Sequence, residues 1–335
     1  MIRLLEKAVL AAVLCVTALA AHAQDLAKVR TFTQTNFPGF VQFVTNELGL
    51  FAKYGIDPDL KYFPSGAPIV QAGAANEWDI AFLGAPPAVI GSDSLGIVTI
   101  GVITDDPHEL FGRPDYVDTA LADPSTLKGA KIFVTTLSTG HYMVESCLQK
   151  LGLGSGDVSI IPSDQTATVS AFLAGEGDLA QTWQPFSDVL RARGNKVLCD
   201  AAQANLHIFT VWVATKDFAT QHPDLVTKWV QANGEAVDWI RQDEARTTEM
   251  YRKFMALSGQ TTEGDALKSV IASVMAAKTL DEQLGYMTAT DGAKSEVMKA
   301  YEGIAEFFIR NGRMQSVPDF TPYIDASFLK AAVGQ

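Results

Sequence analysis

Thr135-Thr136-Leu137-Ser138-Thr139-Gly140-His141-Tyr142 joins an apolar run, Lys131 to Val134, to a helical pattern from Tyr142 to Leu151. The order is strand, hydroxyl-rich turn, helix start. The first N–H groups of a helix lack intrahelical partners and sit at the positive end of its dipole. Ser138, Thr139 and Gly140 could therefore hold an anionic head group without an arginine. The plainer role is a cap, with Ser138 or Thr139 accepting the same N–H groups, and a single such turn would favour it. The pattern recurs, however. Thr33-Gln34-Thr35-Asn36 closes a β-prone run that starts at Val29, Pro64-Ser65-Gly66-Ala67 follows Ile56 to Phe63, and Gly84-Ala85-Pro86-Pro87 follows Asp79 to Leu83. Gly66, Gly84 and Gly140 allow close backbone approach, and Pro68 and Pro87 suit a first helical turn. In an open α/β sheet such strand ends face a common crevice, so four of them make ligand binding the leading expectation.

Other chemistry-bearing residues carry weaker expectations. His141 and Glu145 stand four apart on one helix, a spacing that metal sites use, but no second His or Cys pair accompanies them. They are expected as a capping or surface pair, with no metal and no cofactor. Phe37, Phe63, Phe82, Tyr142 and Trp183 fall at or near strand ends and could wall a pocket for a ring or a quaternary ammonium; Trp183 is the best placed, while Phe63 and Phe82 read more readily as core. Trp229 and Trp239 are expected to pack a helix. There is no G-x-S-x-G, no H-E-x-x-H and no P-loop.

The elements that must position these residues alternate. Strands are expected at Val29 to Thr33, Ile56 to Phe63, Asp79 to Leu83 and Ile97 to Ile103, with helices at Phe40 to Tyr54, Ala67 to Ala75 and Pro87 to Asp93. A polar, proline-bearing segment runs from Asp105 to Lys128, and then the pattern restarts. Ile132 to Thr135, Val158 to Ile161, Leu179 to Thr182 and Val197 to Cys199 alternate with helices near 141–151, 165–174 and 185–193. Ile208 to Ala214 is β-prone, and beyond Lys216 nearly everything reads as amphipathic helix. The expected fold is α/β with two lobes and two crossings between them: residues 24–110 and 213–335 form lobe 1, and 111–212 are inserted as lobe 2.

Residues 1–23 have the form of a cleaved export signal: Arg3 and Lys7, an apolar run from Ala8 to Ala21, and Ala21-His22-Ala23. Cys15 follows Leu14 and not a small residue, which argues against lipid attachment there. The mature chain is expected to start at Gln24 and to be periplasmic. Net charge is −12, or −13 once Arg3, Glu6 and Lys7, together +1, are removed; an acidic surface of this kind speaks against nucleic acid and anionic membrane as partners. Cys147 and Cys199 remain, one on an expected helix and one at a strand end, and are expected as two buried free thiols.

The chain resembles the periplasmic substrate-binding components of ABC importers for taurine, aliphatic sulfonates and nitrate, the taurine type most of all. Ser65-Gly66-Ala67-Pro68-Ile69-Val70 is similar to that family's S-G-A-x-I-V, and Asp79 to Pro87 to its D-x-x-x-x-G-x-x-P. Leu127 to Ile132 is similar to L-x-G-K-x-I, and Ser138 to Tyr142 to S-T-T-H-Y. Trp183-Gln184-Pro185, Val211-Trp212-Val213 with Lys216-Asp217-Phe218, and His222-Pro223 complete a set in order over roughly residues 29 to 328. The resemblance implies a type II, Venus-flytrap fold, a monomer that catches a small anion, closes on it and hands it to a membrane permease. It implies ligand contacts from Gln34, Asn36, Ser65, Gly66, Ala67, Gly84, Ala85, Ser138, Thr139, Gly140, His141, Trp183, Gln184 and Thr210.

Two departures qualify it. Thr210 stands where a taurine binder is expected to carry an aspartate for the ligand's ammonium, so an uncharged tail is favoured unless Glu145, Asp178 or Glu109 substitutes. The segment Asp105 to Pro114 is polar where the family runs an apolar strand, and its Arg113 could equally reach the cleft or lie in a solvated loop. Alternatives are a binder of carboxylates or aromatic acids, a periplasmic sensor subunit, and an enzyme related to the pyrimidine synthases of this fold, whose cysteine-rich motif is absent here.

Overall fold

The computed structural model describes residues 26–335 apart from 106, 207, 258, 260 and 291. The expected leader at 1–23, including Cys15, lies outside the described residues.

The strands are β1 (Ala27–Gln34), β2 (Ile56–Phe63), β3 (Ile80–Gly84), β4 (Ile97–Asp105), β5 (His108–Gly112), β6 (Lys131–Val134), β7 (Ser159–Pro162), β8 (Leu179–Trp183), β9 (Lys196–Asp200) and β10 (Phe209–Thr215). They form two five-stranded sheets of the same design, β2-β1-β3-β10-β4 and β7-β6-β8-β5-β9. In each, four strands run in one direction, and a strand arriving from the other lobe is inserted antiparallel: β10 between β3 and β4, and β5 between β8 and β9. Sequence follows position. The inner strands β3 and β8 are buried almost throughout, β3 as an apolar run and β8 with Gln181 and Thr182 buried among apolar residues, whereas the edge strand β2 turns Asp57, Asp59 and Lys61 outward.

The crossings are displaced from where composition put them. β5 already belongs to the second sheet at His108, not after 110, and Phe209 to Trp212 belong to the first sheet. The polar segment after Asp105 is therefore no loop: Leu110 and Phe111 are buried in β5, and Pro114–Ala122 is a helix. Arg113 stays within lobe 2, donating to the carbonyls of Gly177 and Phe172 and stacking 4.8 Å over the Phe172 ring. The first expected helix is also split. It runs Phe37–Glu47 and resumes at Leu50–Lys53, because Gly49 takes a left-handed φ of 66° that ends the first segment.

Beyond β10 the helices pack on the first sheet. Trp229, on the helix Pro223–Gln242, meets Trp212 of β10 edge to face at 5.1 Å and donates its indole N–H to Thr31. Tyr251, Tyr301 and Phe307 join the same core. The smaller core of lobe 2 holds a second correction. Cys147, on the helix Thr139–Lys150, and Cys199, on β9, form a disulfide with 6.2 Å between their Cα atoms. The helix lies across the sheet with Met143, Val144 and Cys147 facing inward, and that register brings the two sulfurs together.

Candidate functional site

The starts of four helices converge between the lobes. Gln34, Asn36, Ser65, Gly66, Phe82, Gly84 and Pro87 from lobe 1, with His108, Ser138, Thr139 and Trp183 from lobe 2, line one narrow cavity of about 30 Å³. Among the described residues none that lines it is Lys, Arg, Asp or Glu. Its polarity comes from hydroxyls, amides, one imidazole and helix N-termini, a set suited to an anion whose charge is spread over several oxygens.

Each helix start contributes differently. Asn36 caps Phe37–Glu47, accepting from the Gly39 N–H at 3.4 Å, while its Nδ2 donates to Gln34 Oε1 at 3.4 Å and so turns the Gln34 amide nitrogen toward use elsewhere. Ser138 takes the plainer role after all. Its Oγ accepts from the N–H groups of Gly140 (3.1 Å) and His141 (3.3 Å), and its hydroxyl proton, polarised by those bonds, remains to be given. Ser65 precedes Gly66–Ala74 without any side-chain cap bond, which leaves its hydroxyl uncommitted to the helix. Gly84 precedes Ala85–Leu95, where Pro86 and Pro87 have no N–H; of the first three helical positions only Ala85 can offer one.

Gly84 also sets how closely the lobes meet. Its φ of −68° would suit any residue, but a Cβ there would lie 2.5 Å from Oγ1 of Thr139 in the opposite lobe. Glycine is needed for close approach, not for its backbone angle. The lobes are thus in contact across the site, in a closed arrangement.

Six expected residues do not line this cavity. Ala67 is exposed on the first turn of its helix, and Ala85 is buried behind Gly84. Gly140 packs against the Gln181 side chain. Gln184 reaches across the lobes to Ser269 at 3.2 Å. Thr210 is fully buried and its hydroxyl donates to the Thr104 carbonyl at 3.2 Å.

His141 turns away from the cavity. Its Nδ1 accepts from the Leu137 N–H at 3.2 Å, its ring meets Phe307 edge to face, and Nε2 lies 3.7 Å from Glu145 Oε1. The pair is not at the surface: both side chains are buried where lobe 2 meets the last long helix, and Glu145 also accepts from Asn311 and Ser155. Burial pulls the His141 pKa below the ordinary histidine value, against the pull of Glu145.

The acids considered as stand-ins for the missing aspartate are engaged elsewhere. Glu109 pairs with Arg191, and Asp178 accepts from the Lys131 N–H. Phe82, expected as core, does line the cavity, as does Pro87. His108 is the addition that sequence missed. It stands directly across from Trp183 in the β5–β8 ladder, its ring meets the Trp183 ring edge to face at 5.4 Å, and Gln181 Nε2 lies 3.3 Å from its Nδ1.

A model of the NMT1/THI5 like family matches residues 34–246, more than half of the chain. The chain belongs to the NMT1/THI5-like family. This NMT1/THI5-like chain is 28% identical over 295 residues to the taurine-binding periplasmic protein of Escherichia coli (strain K12), covering 84% of this chain and 86% of that one. In three dimensions it is similar to the periplasmic aliphatic sulphonate binding protein SsuA from Escherichia coli, with a TM-score of 0.74 and 16% identity over 92% of this chain and 99% of that one. The desulfurization enzyme DSZB shares the fold, with a TM-score of 0.63 and 15% identity, over 92% and 99% of the two chains. The two-lobed α/β architecture is therefore that of periplasmic binding proteins. No helix among the described residues is long and apolar enough to cross a membrane.

Proposed function

We propose that this protein is the periplasmic solute-binding component of an ABC importer, exported by its N-terminal signal, which captures a small organic anion of the aliphatic sulfonate or taurine type and delivers it to a membrane permease. The observation that carries this reading is the cavity between the lobes, where helix starts, hydroxyls and amides converge with no charged side chain among the lining residues. A sulfonate spreads one negative charge over three oxygens and matches several neutral donors better than one fixed cation. Donors already aligned inside a closed cleft bind without a large reorganisation cost. The likeness to a taurine-binding and a sulphonate-binding protein supports the choice of anion. Binding and not turnover is the reading because the two cysteines among the described residues, Cys147 and Cys199, are bridged to each other within lobe 2 and neither lines the cavity.

The test is a thermal-shift screen of mature protein, refolded to strip carried-over ligand, against taurine, hypotaurine, short alkanesulfonates, nitrate, small carboxylates and aromatic acids. A rise in Tm with a sulfonate class is the expected result. Silence toward every sulfonate with a rise for another acid overturns the substrate.

A further inference from the structure

A second chamber adjoins the head-group cavity. Asn36, Ser65 and Trp183 line both the cavity and this chamber of about 340 Å³, so the two spaces meet at these residues. Trp183 and Phe186 both line the chamber, and Asp164 is the one charged residue among its described lining residues. Asp164 caps the helix Gln165–Leu173 through Oδ1, which accepts the Ala167 N–H at 2.9 Å. That bond commits one carboxylate oxygen and leaves Oδ2 for another partner.

We infer that this chamber receives the far end of the ligand and that Asp164, with the Trp183 ring, selects zwitterionic sulfonates, those with a cationic nitrogen beyond the sulfonate, over plain alkanesulfonates. The inference rests on the functional reading above and supplies what Thr210 lacks by a different route. A carboxylate lining the same chamber as two aromatic residues can recognise an ammonium group by charge, and a ring face presented to it adds attraction. A bare alkyl chain gains the aromatic walls but not the charge. A tail ending in a second anion meets repulsion.

The larger hollow of about 760 Å³ on the far side of His108 is the competing route for a tail. It shares only His108 with the head-group cavity, its Glu109 is already paired with Arg191, and Lys278 places a cation in it. The chamber beside Asp164 is the better continuation.

The experiment is titration calorimetry on the mature protein and on Asp164→Asn with two matched pairs of probes, taurine with ethanesulfonate and homotaurine with propanesulfonate. Asn caps a helix as well as Asp, so the variant keeps its fold, and an unchanged circular dichroism spectrum and Tm check this. The expected result is that the native protein prefers the amino-bearing member of at least one pair by about tenfold or more, and that D164N removes most of that preference while binding the plain sulfonate as before. Equal loss for both members, or an unchanged preference, overturns the role of Asp164. Loss of the preference in Glu109→Gln and not in D164N would place the ammonium in the hollow behind His108 and likewise overturn it. Failure of the native protein to bind any sulfonate is a separate outcome, which removes the functional reading and this one with it.

Discussion

Ser65 and Ser138 occupy the same place, one residue before a helix at the edge of the cavity, but only Ser138 caps its helix. Their alanine variants should therefore separate binding from stability. Ser138→Ala removes the acceptor for two N–H groups and should cost about 1 kcal/mol, a fall in Tm of roughly 2–4 °C. Ser65→Ala should leave Tm within about 1 °C. Both should weaken sulfonate binding by roughly tenfold, since a hydrogen bond to a charged group is lost in each; calorimetry and melting curves on the two variants decide it.

Asp188 offers a different residue-scale test. Burial, opposed by Arg191 and reinforced by Glu109, lifts its pKa to about 6, and its Oδ2 has no partner. The folded state thus holds the proton more tightly than the unfolded one, whose carboxyl titrates near 3.9. Stability from this group is fully present below that value and is lost as pH rises through about 6. Asp188→Asn cannot titrate, so the Tm of the variant relative to the native protein should climb from about pH 4 to about pH 7 and then level off. A flat difference across that range would show that the Asp188 carboxyl is solvated in solution.

At the scale of elements, the disulfide ties the helix that opens at Ser138 to the edge strand β9, closing a loop of 52 residues within lobe 2. In the chain-entropy account a loop of this size contributes about 4 kcal/mol. Cys147→Ser with Cys199→Ser should lower the melting temperature of lobe 2 in a calorimetric scan while sparing affinity at temperatures where the lobe is folded, because neither sulfur lines the cavity. The bridge also marks where reading the sequence stops. Turns such as Pro64 to Ala67 and Gly84 to Pro87 were legible because small residues, prolines and the flanking apolar runs are local signals. The pairing of Cys147 with Cys199 depends on how a helix is seated on a sheet, and no local pattern encodes that. His108 was missed for the same reason. Its neighbours are polar and read as a loop, and it enters the site only because β5 pairs antiparallel with β8 and sets it opposite Trp183. Thr210 shows the converse: a position marked by resemblance whose hydroxyl the local ladder claims for Thr104.

At the scale of the whole molecule, the two sheets repeat one design and exchange a strand at each crossing, so the chain passes between the lobes twice, from β4 to β5 and from β9 to β10. Such a joint lets the lobes turn as bodies, and a ligand that touches both shifts the population toward the closed form. X-ray scattering should show a smaller radius of gyration on saturation with a confirmed ligand. Gly84→Ala should block the final approach at Thr139: the empty variant keeps its Tm, since the backbone angle suits alanine, but binding weakens by tenfold or more and the compaction is incomplete. Full compaction with native affinity would show that Thr139 yields and that the contact does not limit closure.

The cavity attracts an anion only through neutral dipoles, while the chain around it carries a net charge of −12. The two act over different distances. A plain alkanesulfonate, with its net negative charge, drifts in against a repulsive field that extends about 10 Å at 0.1 M salt, and feels the hydroxyls and amides only on contact, whereas a zwitterion of zero net charge is scarcely repelled. Added salt should therefore quicken arrival of the plain sulfonate and leave its dwell time nearly unchanged. The ionic strength of the surroundings then acts as a throttle on the rate of capture, set by the outer surface and independent of the chemistry within.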